Sequence, residues 1–446
     1  MAITFGWKGV VDTDLQFSEF YSGDHSVAIW FLLQYPLAYA GPILSVNGTG
    51  TYVVGQGDRN LQNNAHLISR IEGASGVYLP TSAIRFDSGV WYHIVVVRNN
   101  NEVKLFLNGQ LLGSPLMLTN TNNPVGTLRL GRPSLGDGID NQEAQFYGMM
   151  DELAVYTRAL TSAEILTQFT TGSHLNGNES GLLAGWVFSP TPPIGLPGHM
   201  LRPVVRSGQT ALVANSTNWN ESALQLIPLP DQTMELPFLR GEAWVCGQGF
   251  ASTFSHRGYA AFCWDFLKAD VGYSWSDIYP NGSHKAPIYS TGGGEVIFVS
   301  QSSPPPDVND PETENMVWVR RADGFICTYL HLLKNSVLVS TGQTVFGEKI
   351  AQICREFRDR STPPHLHLAM EPDPNDEIGK VTVPSCFSNY EVRNANGLWS
   401  SVPKGIPTAG QVVRRKRLSI PERFVSFIID FIRSFIDRYY RPRPNR

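Results

Sequence analysis

The sequence predicts a mainly β chain: an N-terminal β-sandwich, a second antiparallel β domain and a terminal amphipathic helix. Three observations predict it. Short alternating or β-branched runs, separated by Gly, Asn and Asp turns, fill residues 1 to about 172. A Gly-, Pro-, Ser- and Asn-rich stretch follows, and β patterning then resumes to about residue 410, now with all the cysteines. The end, "RRKRLSIPERFVSFIIDFIRSFIDRYYRPRPNR", instead repeats apolar residues at helical spacing. The division read from these shifts is 1–172 for the sandwich, 173–205 for a final strand and linker, 206–410 for the second domain and 411–446 for the tail.

Composition agrees with folded domains. With 446 residues, 42% hydrophobic and 17% charged, two or three cores are expected. The formal net charge of −4 hides an asymmetry: residues 414–446 carry ten Lys/Arg against three Asp/Glu, which leaves the rest near −11. Nothing in this mildly acidic body suggests a nucleic-acid footprint. The start, "MAITFGWKGVVDTDLQF", shows no basic segment followed by an apolar one, so no ordinary signal peptide is read. The early apolar run Val27 to Leu33 is too short to span a bilayer, and a soluble chain is expected. Cys246, Cys263, Cys327, Cys354 and Cys386 are odd in number and lack a CxxC zinc spacing, so a disulfide scaffold is not indicated.

In the first domain, "GVWYHIVVVRNNNEVKLFLNGQLLG" reads as a hairpin about Asn99 to Asn101, with Asn108-Gly109 as the next tight turn. "FYGMMDELAVYTRALTSAEILTQF" reads as a strand and then a short helix opened by the capping box Thr161-x-x-Glu164. His93, in a strand, is read as structural. These two segments resemble laminin-G-like, concanavalin-A-type jelly-roll domains. The resemblance implies a jelly-roll sandwich that holds a carbohydrate or a surface ligand. "LLAGWVF" supplies the final strand before the linker.

In the second domain the strands are "AAFCWDF", "GGEVIFVS", "MVWVRR", "FICTYLHL" and "HLHLAM". In "STPPHLHLAM", His365 and His367 lie two apart, so an extended backbone directs both imidazoles to one side. In "FSHRGYAAFCWDF", Phe262, Trp264 and Phe266 face one way, which turns Cys263 and Asp265 the other way. A carboxylate in so apolar a strand needs a partner or a cation. By the same alternation, Cys327, Tyr329 and His331 of "FICTYLHLL" share a face opposite Leu330 and Leu332. His199 and His284 sit in loop-like segments and are read as surface residues.

Two histidines and one carboxylate with an open position make up a catalytic zinc set, whereas structural zinc takes four protein ligands. Further histidines then have proton-transfer and oxyanion roles open to them. The order "SHRGYAAFCWDF", "APIYSTGGGEVIFV", "GFICTYLHL", "TGQTVFGEKIAQI", "PPHLHLAM" resembles the lysostaphin-like zinc metallopeptidases, which cleave peptide bonds in bacterial peptidoglycan. The resemblance covers roughly residues 235 to 390 and implies His256, Asp265 and His367 as Zn2+ ligands. It further implies His365 as general base, His331 as transition-state stabiliser and Tyr329 as the aromatic of the "YxHL" segment.

The chain departs from the family pattern in two places. The His256 to Asp265 interval is nine residues, matching a longer family form, and "RDRSTPP" replaces the small Gly/Ser run before the final pair. Cys263 and Cys327 are expected on the cavity side, open to metal perturbation or a disulfide. The tail opens at Ser419-x-x-Glu422 with Pro421 and carries Phe424, Ile428, Phe431, Ile432, Phe435, Ile436 and Tyr439 on one face. Its charges at Asp430, Arg433 and Asp437 exclude a spanning helix. Packing on protein, docking at an anionic membrane surface and a delivery role stay open.

The expectation is therefore a zinc endopeptidase acting on peptidoglycan peptides in an extracellular or wall-facing setting. The alternatives are a non-catalytic wall- or glycan-binding protein and a wall-opening component of a phage-like or secretion assembly.

Overall fold

A computed structural model describes residues 2–5, 10–34, 41–49, 52–56, 67–71, 89–118, 123–131, 146–171, 175, 177–186, 195–196, 201–203, 213–214, 232–250, 255–256, 260–268, 283–301, 315–354, 364–373 and 382–417. The tail read as a helix, and His199, lie outside them. Among the described residues the one α-helix is α1, Ser162–Thr171, and no helix is long and apolar enough to cross a membrane.

The N-terminal half is a β-sandwich. One sheet runs Leu182–Trp186, Gly148–Tyr156, His25–Leu33, Trp91–Asn99, Glu102–Leu107, Gln110–Met117; the other runs Val11–Gln16, Val125–Leu130, Gly41–Thr49, Tyr52–Gln56, Leu67–Ile71. Leu15, Ile29, Phe31, Val46, Ile94 and Leu128 fill the space between them. On the outer face, Ala28, Val95, Phe106 and Tyr156 are covered by Leu160 and by Ile165 of α1. Double coverage explains why Val27 to Leu33 reads as an unbroken apolar run rather than an alternating one.

The sequence's local signals hold. Asn100 at φ 54° turns the hairpin in which Asn99 pairs with Glu102. Asn108 and Gly109, at φ 50° and 79°, form the next two-residue turn, and a Cβ on Gly109 would lie 2.9 Å from Leu166. The capping box closes in both directions: Thr161 N donates to Glu164 Oε2 at 2.7 Å and Glu164 N to Thr161 Oγ1 at 3.3 Å. Thr161→Ala is expected to lower stability by about 1 kcal/mol, measured by urea unfolding.

His93 is structural in setting: it is buried, with its ring 4.8 Å from that of Trp30. Burial pushes both His93 and His25 down to about 4 from the ordinary 6.5. The unfolded chain therefore binds protons between those values that the fold refuses, and stability falls as pH drops from 6.5 towards 4. Each histidine should contribute roughly 2–3 kcal/mol of that loss between pH 7 and 4.5. Thermal melts of the wild type and a His93→Gln variant across this window test it: the variant should show the shallower dependence.

The C-terminal half is built on a curled half-barrel sheet whose central order is Ala243–Gln248, Trp264–Lys268, Leu366–Glu371, Ile326–Leu330, Met316–Arg320, Gly293–Ser300. The pair Pro287–Tyr289 and Lys349–Gln352 forms a small second sheet. Trp264 and Phe266 do point to the core, where Phe266 and Phe387 pack edge to face and Phe238 stacks on Trp244 at 3.9 Å. Asp265 is left for the opposite face. The two halves meet where Tyr147 packs edge-on to Phe262 at 5.2 Å.

Candidate metal centre

Three neighbouring strands build the site. Asp265 pairs laterally with His367, and His367 with Leu330. Cross-strand partners in an antiparallel sheet point to the same side, so Asp265 and His367 emerge together. His365, at the entry to the strand Leu366–Glu371, follows by alternation, as the His-x-His spacing predicts. His256 comes from the segment between Gln248 and Trp264 and is fully buried.

His256 Nε2 lies 3.2 Å from Asp265 Oδ1, His367 Nδ1 2.9 Å and His365 Nε2 3.6 Å. The ligand atoms of His256, Asp265 and His367 are all within 4.8 Å of one another. Tetrahedral donors about 2 Å from one zinc ion lie about 3.3 Å apart, close to the two histidine–aspartate separations of 3.2 and 2.9 Å. The donor chemistry also fits. The Gly249 carbonyl, 2.9 Å from His256 Nδ1, can only accept, which puts the proton on Nδ1 and turns the Nε2 lone pair to the site.

His331 reaches the site by a route the alternation did not foresee. Leu330, not Tyr329, shares the face of His367, so regular strand geometry would send His331 to the core with Tyr329. His331 instead takes φ 63°, reversing the chain just past the strand end. Its ring then lies 4.6 Å from that of His365 and 5.7 Å from that of His367. The Cys354 N–H holds this turn by donating to the His331 carbonyl at 2.9 Å.

The expectation that Cys327 faces the cavity is corrected for the same reason. Cys327 and Tyr329 point into the core, where Thr291 Oγ1 contacts the thiol at 3.2 Å and the phenol oxygen at 2.8 Å. Cys263 keeps its place beside Asp265 in chain order, but all five cysteines are buried and none is in a disulfide. Half-buried His284 takes no part in the cluster of His256, Asp265 and His367.

Electrostatics favour an ionised Asp265. Burial pushes the Asp265 carboxyl up, yet His365 and His256 nearby, with a hydrogen bond from His367, hold it well below the usual range. Burial, reinforced by His365 and His367, holds His331 well below the ordinary histidine value, so it is neutral at pH 7. Burial likewise lowers His367 against the pull of Asp265. For His256 burial is outweighed by Asp265 and the net shift is upward.

Gln248 is the participant that sequence reasoning missed. Its Nε2 donates to Asp265 Oδ2 at 2.6 Å. The available signal was a polar residue between two glycines in "VCGQGF", the composition of a bulge, and the pairing does shift register between Cys246 and Gln248.

Comparison with known proteins agrees with both halves. Residues 8–166 match the concanavalin A-like lectin/glucanases superfamily and residues 276–377 match peptidase family M23. The second match holds His331, His365 and His367, whereas His256 and Asp265 precede it, and Asp265 joins through the sheet. No curated protein matches the chain.

Among solved structures, a putative carbohydrate binding protein from Bacteroides ovatus ATCC 8483 is 14% identical, with 45% of this chain and 59% of that one covered and a TM-score of 0.32. A native heptameric SAP-like pentraxin from Limulus polyphemus is 14% identical over 45% of this chain and 94% of that one, with a TM-score of 0.31. The M23 metalloprotease pseudoalterin, from deep-sea, is 18% identical over 40% of this chain and 96% of that one, with a TM-score of 0.26. The chain therefore carries an N-terminal concanavalin A-like lectin domain and, C-terminal to it, a peptidase domain of M23, a family of zinc metalloendopeptidases.

Proposed function

We propose that this chain is a zinc-dependent endopeptidase of bacterial peptidoglycan, positioned on its substrate by the lectin domain and acting where the wall is exposed. The observation that carries the reading is the convergence of His256, Asp265 and His367 from three separate chain segments onto one point. Zinc held there supplies a Lewis acid that makes water a usable nucleophile near neutral pH.

The remaining roles belong to the chain's own groups. His365, on the same side as the triad and 3.6 Å from Asp265 Oδ1, takes the proton of the attacking water and passes it to the leaving amine. His331, neutral and beside His365, hydrogen-bonds the oxygen that gains charge as the carbonyl carbon becomes tetrahedral. The lectin domain takes a glycan of the same wall. The division at residues 172, 205 and 410 belongs to this proposal, as does docking of the basic tail at a membrane surface or a protein.

Digestion of purified muropeptides, with products identified by mass spectrometry, tests the reading. Cleavage at one peptide linkage should stop with a chelator and return with zinc. Intact muropeptides in the presence of stoichiometric zinc would leave a non-catalytic wall-binding protein in its place.

A further inference from the structure

We propose that Gln248 is a positioning residue for the metal centre, one that fixes Asp265 as a single-oxygen ligand and couples it to the segment carrying His256. The proposal rests on the metal reading above. Four contacts argue it. The Gln248 amide nitrogen donates to Asp265 Oδ2 at 2.6 Å, which engages that oxygen and leaves Oδ1 facing the histidines. The same amide reaches back to Ser255, immediately before His256: Ser255 N donates to Gln248 Oε1 at 3.3 Å, and Ser255 Oγ lies 3.0 Å from Gln248 Nε2. The next residue, Gly249, accepts from His256 Nδ1 at 2.9 Å.

Residues 248 and 249, at the end of the strand Ala243–Gln248 and just past it, thus touch both ligands, the side chain orienting one and the backbone the other. The nine-residue interval between His256 and Asp265 gives this device its reason. Ligands four apart can share one turn and brace each other. Ligands nine apart sit on different elements and need a third to set their separation. The register shift between Cys246 and Gln248 brings Gln248 into the row of Asp265, its cross-strand partner. The Cys246 thiol holds the shift from behind, donating to the Gln248 carbonyl at 3.3 Å.

An amide suits the task better than a carboxylate or an ammonium. It donates to the aspartate without neutralising it, and it accepts from the Ser255 N–H with its other end. Partners of this kind typically account for 10–100-fold in metal affinity.

The test is zinc affinity of the full chain by competition with a chromophoric chelator, alongside thermal melts of the metal-free protein. Gln248→Met keeps length and volume but removes donor and acceptor. It should bind zinc about 10–100-fold more weakly while the metal-free melt stays close to wild type. Ser255→Ala removes the Oγ contacts of the amide but keeps the Ser255 N–H donating to Gln248 Oε1, so it should weaken zinc less than Gln248→Met does. With cobalt in place of zinc, the visible spectrum of Gln248→Met should differ from wild type, because Asp265 is no longer held to one oxygen. Wild-type zinc affinity in Gln248→Met, with the metal-free melt showing it folded, overturns the proposal. A wild-type chain that binds no zinc at all is a separate result and removes the metal reading itself.

Discussion

Alanine at position 367 should abolish peptide hydrolysis and stoichiometric zinc binding together. On the proposed reading His367 supplies one of three ligand atoms, and its Nδ1 lies 2.9 Å from Asp265 Oδ1, nearer than the Nε2 atoms of His256 and His365. Two remaining donors cannot close a site that needs three protein ligands. Loss of the Lewis acid removes several kcal/mol of transition-state stabilisation, so a drop of roughly 10³-fold or more is expected.

The companion His365→Ala separates the roles. It should keep one zinc per chain and lose about 10²–10⁴-fold in turnover, the range of a general base. Metal content by atomic absorption and muropeptide cleavage read the two effects independently. Loss of zinc from His365→Ala with zinc retained in His367→Ala would exchange the assignments.

The second large effect is at His331, where backbone and side chain make different demands. Its φ of 63° lies in the left-handed region, which Asn tolerates and which β-branched residues resist. His331→Asn should therefore fold with stability within about 1 kcal/mol of wild type. Its activity should nonetheless fall roughly 10²–10³-fold, the usual cost of losing one donor to a developing oxyanion. His331→Val should lose the same activity and a further 1–2 kcal/mol or so of stability, because its side chain crowds the turn. Urea unfolding with zinc removed measures the second quantity and initial cleavage rates the first. An active His331→Asn enzyme would take His331 out of the mechanism and leave it a turn residue.

Some elements were legible because their physics is local. The hairpin at Asn100, the turn at Asn108-Gly109 and the capping box at Thr161 and Glu164 each depend on residues within four positions of one another. His365 and His367 were legible for the same reason: a strand has period two wherever it runs. Alternation also placed Asp265 opposite Trp264 and Phe266.

The same rule misplaced Cys327 and Tyr329. It assumed that the strand continued to His331, and nothing in "TYLHL" marks the positive φ. That turn is held from outside the segment, by Cys354. Gln248 was invisible for a related reason. Its partner Asp265 is 17 positions away, and its meaning comes from a register shift between two strands.

Residue order alone therefore determined the two β domains and the placing of His365 and His367 on one side of a strand. These follow from periodicity and turn chemistry, which act over a few residues. Tertiary structure alone decided that donors 102 positions apart in the chain share one point, that His331 turns towards them, and that Gln248 sets the free face of Asp265. Lateral strand register carries that information, because it depends on which distant segments bury their apolar faces together.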